Sequence, residues 1–176
     1  AVAGPLGAQS VSNRSPEELA RQAQAALAQS RYREAFDAFA AAAHARPRDV
    51  SLYAGAAFAA SQMGQLADAQ QWLERALQID PRYVDASMLL GQVLYKRGNL
   101  PAAVSTLEAA LRFSPTNPAL RRQLDEWRQE AALGERMFEA RSAHFSVLFE
   151  GPSDDRIART VLDILENAYF TVGTAL

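Results

Sequence analysis

The sequence predicts a mainly α chain: an α-solenoid of three helix-turn-helix repeats plus a capping helix, followed by a short strand-helix segment. Three observations predict it. Pro47, Pro81 and Pro115 lie 34 residues apart, and the same small and large apolar residues recur at fixed distances before each of them. The pattern stops at residue 135, where a short alternating run takes over. The chain has 176 residues, 49% hydrophobic and 22% charged, enough apolar content to build a core. No run approaches the ~18 apolar residues that span a bilayer. The absence of cysteine excludes a disulfide scaffold, a thiolate zinc site and a Cys nucleophile.

Residues 1–15 are small and polar without hydrophobic periodicity, and read as a flexible N-terminal segment. Ala1-Val2-Ala3 has the look of a signal-peptidase site, which leans towards an exported, bacterial periplasmic location, but without an apolar stretch before it the triplet reads first as an ordinary flexible end. Helix signals begin at Ser15-Pro16-Glu17-Glu18. Ser15 supplies a capping hydroxyl, Pro16 suits the first helical position, and Glu18 completes a capping box.

The repeats are expected at about 16–49, 50–83 and 84–117. Twenty-four residues before each proline stands a small residue (Ala23, Ala57, Gly91), and twelve before stands Ala35, Ala69 or Ala103. Phe39, Leu73 and Leu107 come eight before. Ser30, Gly64 and Gly98 fall where one apolar-periodic stretch gives way to the next. Two helices joined by so short a turn lie antiparallel. Only Ala or Gly fits their closest crossing, the larger residue fills the space beside it, and proline stops the second helix.

These residues resemble the tetratricopeptide repeat family, whose pattern is W-x-x-L-G-x-x-Y, then A-x-x-x-F, then P. The third repeat supplies Ser87, Leu90, Gly91, Leu94, Ala103, Leu107 and Pro115. The second supplies Tyr53, Ala56, Ala57, Ala60, Ala69, Leu73 and Pro81, and the first Leu19, Gln22, Ala23, Ala26, Ala35, Phe39 and Pro47. The resemblance implies a right-handed α-solenoid whose first helices line a concave groove for a protein or peptide partner. By pattern position the groove residues are Arg21, Gln24, Leu27, Phe58, Gln62, Met88, Gln92, Tyr95 and Lys96. Chaperone-tail binders of the family use a Lys and Asn clamp; here Ala20 and Gln24 occupy its first two positions.

Residues 118–134 read as the capping helix, with Leu120, Leu124, Trp127 and Ala131 on one stripe and Gly134 as its C-cap. In 135–176, Ala143–Glu150 alternates as a half-buried strand with Phe145, Val147 and Phe149 on one face. Ser153 or Asp154 then caps a helix with apolar positions Ile157, Val161, Ile164, Leu165, Ala168 and Val172. No second strand is evident. The strand, about 142–150, and the C-terminal helix are therefore expected either to fold back onto the solenoid end near Trp127 or, the favoured outcome, to pair between two copies as a homodimer. The string S-A-H-F-S-V-L-F-E-G with L-E-N-A-Y resembles the opening of a peptidase MA-like, gluzincin-type domain. The resemblance implies a fragment of a zinc metallopeptidase-like domain of the kind found beside tetratricopeptide repeats in bacterial proteins. Its H-E-x-x-H is unmatched, so no catalytic residue carries over.

The chain's histidines are His44 and His144, and neither has a metal-ligand partner at useful spacing. Asp154-Asp155 reads as helix capping rather than paired catalytic acids. Basic and acidic residues number ten each over 16–117, with no basic stripe, so nucleic acid is not an expected partner. The expectation is a non-catalytic binding module with no metal or cofactor. The alternatives are the substrate-presenting part of a zinc metallopeptidase and a scaffold of an envelope assembly.

Overall fold

The computed structural model describes residues 14–173. The expectations for the Ala1-Val2-Ala3 triplet and the rest of 1–13 fall outside the described residues. The chain forms two compact units that divide after Leu124.

The first unit holds three helix pairs: α1 (Pro16–Ala28) with α2 (Tyr32–Ala45), α3 (Val50–Gln62) with α4 (Leu66–Ile79), and α5 (Val84–Lys96) with α6 (Leu100–Phe113). Helix α7 (Pro118–Arg136) starts in this unit. Ser15 caps α1 through the full capping box, its Oγ accepting from the Glu18 N–H at 3.2 Å. The Asn99 and Asn117 side chains accept from backbone N–H groups at the starts of α6 and α7. Each second helix ends two residues before its proline, at Ala45, Ile79 and Phe113.

All three first helices end in the same turn. Ser30, Gly64 and Gly98 are left-handed, with φ of 56°, 75° and 76°. The next N–H bonds back to Ala26, Ala60 or Leu94 at 2.9–3.0 Å, a Schellman cap in every repeat. The crossing residues Ala23, Ala35, Ala57, Ala69, Gly91 and Ala103 are all buried, as are Phe39, Leu73 and Leu107 beside them. The ladder is thus the register of the core. Helix α3 is buried nearly all round, through Leu52, Tyr53, Ala56, Ala57, Ala59, Ala60 and Ser61. Its alanines let α2, α4 and α5 approach closely.

In α7, Leu120, Leu124 and Trp127 are buried on one stripe, as the spacing predicts. Gly134 does not cap it: the helix runs on to Arg136. The second unit also corrects the expected lone strand. β1 (Met137–Arg141) pairs antiparallel with β2 (Ser146–Glu150) in the same chain, with Phe138 opposite Phe149 and Ala140 opposite Val147. The reason given for a homodimer, a strand without a partner, is therefore gone. A 3₁₀ turn at Pro152–Asp154 leads into α8 (Asp155–Gly173). Phe145, Val147 and Phe149 do share a face and pack against Ala140, Ala158 and Leu162. The covered face of α8 is Ala158, Leu162, Leu165 and Glu166, and of the expected stripe only Leu165 is on it. Ile157 and Ile164 are 61% and 62% exposed, and Val161 and Val172 are exposed with them. Ala158 rather than Ile157 faces the sheet because a methyl lets the helix sit close on a two-stranded ribbon.

Candidate functional site

First helices approach one another, α1 with α3 and α3 with α5, more closely than second helices do. In a curved array the side on which neighbours crowd is the concave side. The exposed faces of α1, α3 and α5 therefore line the inner wall of the solenoid.

On that wall the 34-residue period stacks residues into rungs. Gln24, Phe58 and Gln92 form one rung; Leu27, Ser61 and Tyr95 form the next; Ala28, Gln62 and Lys96 another; Ala20, Ala54 and Met88 a fourth. Phe58 and Tyr95 are each 39% exposed, large apolar surface that the core leaves uncovered. Arg21, Gln24, Gln62, Gln92 and Lys96 are exposed, and Leu27 and Met88 half-buried. The period thus brings the nine expected groove residues onto three adjacent helices. Ser61, on the same rung as Tyr95, is buried and donates to the Phe58 carbonyl at 2.8 Å.

Elsewhere the surface offers features that periodicity did not single out. On the side away from the wall Trp72 packs between Phe36, edge-on at 5.8 Å, and Tyr53, tilted at 5.5 Å. Tyr53 donates its hydroxyl to the Pro47 carbonyl at 3.2 Å. Tyr53, Gln71, Trp72 and Arg75 line a shallow hollow of about 340 Å³. The signal was available: Trp72 stands where the other repeats have Ala38 and Thr106. A second hollow, about 370 Å³, lies among α4, α5 and α6, with Phe113 at its rim under the Arg82 guanidinium.

In the second unit, Glu166 on α8 reaches the β1–β2 turn. One carboxylate oxygen accepts from the His144 N–H at 2.7 Å, and the other lies 2.7 Å from His144 Nδ1. Hydrogen bonds from Ser142 and His144 hold this carboxyl down at about 2. Tyr169 stacks on the His144 ring at 4.1 Å. His144 is thus a fastened turn residue. His44 is exposed in the last turn of α2. Among the described residues no three His, Cys, Asp or Glu side chains are grouped to hold a metal ion. No described helix is long and apolar enough to cross a membrane.

The tetratricopeptide repeat family matches this sequence twice, over residues 20–84 and over 64–124, together more than half of the chain. The chain belongs to the tetratricopeptide repeat family. Its relative in Mycosarcoma maydis, small glutamine-rich tetratricopeptide repeat-containing protein 2, is 28% identical over 108 residues, 61% of this chain and 31% of that protein. The chain thus matches about a third of the length of that curated relative. Among solved structures, the Sgt2 tetratricopeptide domain from Aspergillus fumigatus superposes with a TM-score of 0.66 at 23% identity, over 74% of this chain and 87% of that one. The first tetratricopeptide domain of Spaghetti (RPAP3), bound to the HSP90 peptide SRMEEVD, gives 0.63 at 22% identity, over 67% and 94%. The TPR2B domain of yeast Sti1, solved as a pHsp70 complex, gives 0.61 at 20% identity, over 68% and 97%. At such identities these likenesses establish the tetratricopeptide fold.

Proposed function

We propose that this tetratricopeptide solenoid is a non-catalytic protein- or peptide-binding module whose ligand lies in the groove lined by α1, α3 and α5. The observation that carries the reading is the pair Phe58 and Tyr95. Both are large, both lie on the groove wall of adjacent repeats, and both keep 39% of their surface uncovered. Aromatic anchors in such positions supply much of the binding energy of an interface. Met88 adds soft apolar surface beside them in the rungs, and Arg21, Gln24, Leu27, Gln62, Gln92 and Lys96 complete the wall. The neighbour solved with the peptide SRMEEVD supports a peptide as the class of ligand.

The test is a quantitative pull-down with the full chain as bait, followed by titration of the recovered partner. Phe58→Ala with Tyr95→Ala should weaken that partner at least about tenfold, ~1.4 kcal/mol. Unchanged affinity together with a lowered melting temperature would mean that both rings serve packing between repeats and not binding.

A further inference from the structure

The groove wall has no net charge, since exposed Glu17 and Asp85, one turn before Arg21 and Leu89 on their helices, offset Arg21 and Lys96, and its two cations cannot act together. Its rungs carry Gln24, Phe58 and Gln92; Leu27, Ser61 and Tyr95; Ala28, Gln62 and Lys96; Ala20, Ala54 and Met88. Arg21 shares a rung with Gly55 and Leu89. Adjacent helices pack about 8–10 Å apart, so α1 and α5 stand roughly 16–20 Å from each other. Arg21 and Lys96 also differ by seven residues in repeat phase, roughly 10 Å of helical rise. Two cations about 20 Å apart do not converge on one carboxylate, and strong carboxylate recognition needs converging donors. Three amide side chains occupy the wall instead. Gln24, Gln62 and Gln92 are exposed, and none has a hydrogen-bond partner among the described residues. By contrast Gln22, Gln70 and Gln78, off the groove face, are engaged by Arg14, Glu74 and Arg75.

A primary amide presents a carbonyl acceptor and an N–H donor side by side, matching the N–H and C=O that every residue of an extended chain exposes. From this match we infer that the groove takes an internal, uncharged segment of extended polypeptide. Gln24, Gln62 and Gln92 hold its backbone, and Phe58, Met88 and Tyr95 receive its apolar side chains. The ligand is therefore not an acidic chain terminus such as the SRMEEVD held by the similar domain of Spaghetti. This inference rests on the proposed groove and names the chemistry of its ligand.

The experiment is a selection of random peptides on the immobilised full chain, displayed in two formats. One format ends in a free carboxyl terminus, and the other embeds the segment between flanking residues. The triple variant Gln24→Ala, Gln62→Ala, Gln92→Ala serves as the counter-target, since all three side chains are exposed and their loss leaves the core intact. The expected result is enrichment in the embedded format of sequences poor in Asp and Glu. Their binding should change less than about twofold between low and high salt, because few charges are involved. It should fall at least about tenfold on the triple variant. Enrichment confined to free, acidic termini, with binding abolished by amidation, would overturn the inference while leaving the groove reading intact. Embedded binders that ignore the triple variant but are lost with Phe58→Ala and Tyr95→Ala would also overturn the backbone grip. Absence of any enrichment in either format would sink the groove reading and the inference together.

Discussion

A methyl group added at Gly55 would fall 2.7 Å from the Phe39 ring, closer than packed atoms tolerate. At this phase the third repeat carries Leu89, and the repeat before it has the smaller Leu73 where Phe39 stands. Repeat 1 carries the large ring, so the α3 residue facing it is glycine. Helix propensity favours Gly→Ala by about 1 kcal/mol, while overpacking a core costs about 1–3 kcal/mol. Gly55→Ala should therefore be neutral to destabilising alone, yet stabilising in a Phe39→Leu background. A double-mutant cycle by denaturant melts checks this, and additive effects would mean that the two positions do not touch. Ser30 is a second case. It holds a left-handed φ of 56° that glycine holds in the other two repeats, at a cost of roughly 1–2 kcal/mol for an L-residue. Ser30→Gly should raise stability by up to about 1 kcal/mol after the entropy of glycine is set against it, and Gly64→Ala should lower it. A melting temperature that falls for Ser30→Gly would show that the serine side chain holds the turn in a way its backbone does not reveal.

Among the elements, those inside the repeats were legible in the sequence and those outside were legible only in part. Each repeat helix is encoded several times over, by the small crossing residue, by the αL turn at Ser30, Gly64 or Gly98, and by the stopping proline. Errors at one signal are corrected by the others. Ala103→Leu should accordingly cost about 1–3 kcal/mol, because Ala103 is fully buried at the α5–α6 crossing; an unchanged melt would remove that register. β1 had no such redundancy. Met137–Arg141 carries Glu139 and Arg141 and only Ala140 is buried, so its alternation is faint; it became a strand because β2 lay within reach of a short turn. Helix α8 has apolar residues on several faces, and periodicity alone could not say which one the sheet would cover. Its fastening point, Glu166, yields an acid-dependent prediction. With its folded pKa depressed to about 2, the carboxylate stabilises the β1–β2 turn fully above its ordinary value of 4.5. That contribution is lost progressively as pH falls from 4.5 towards about 2. The protection of the His144 N–H, its exchange rate set against the intrinsic rate at each pH, should fall through that window, and Glu166→Gln should flatten the dependence. Protection that stays constant from about pH 5 down to about pH 2 would mean that the turn stands without the Glu166 carboxylate.

For the whole molecule, the wall residues were identifiable because repetition converts sequence phase into spatial position: one offset fixes a rung across three helices. Repetition could not show how much of each ring remains uncovered, since that depends on the thickness of the alanine-rich α3 and its neighbours. The central claim, that the wall of α1, α3 and α5 holds the ligand, is tested most directly by site-specific photo-crosslinking. A photoreactive phenylalanine analogue is placed at Gln62 on the wall and, separately, at Gln71 in the hollow beside Trp72. The recovered partner, or the strongest peptide from the selection, is then irradiated with each. The account predicts a covalent adduct from position 62 and none from position 71. An adduct from position 71 alone would contradict it and move the binding site to the opposite face of the solenoid.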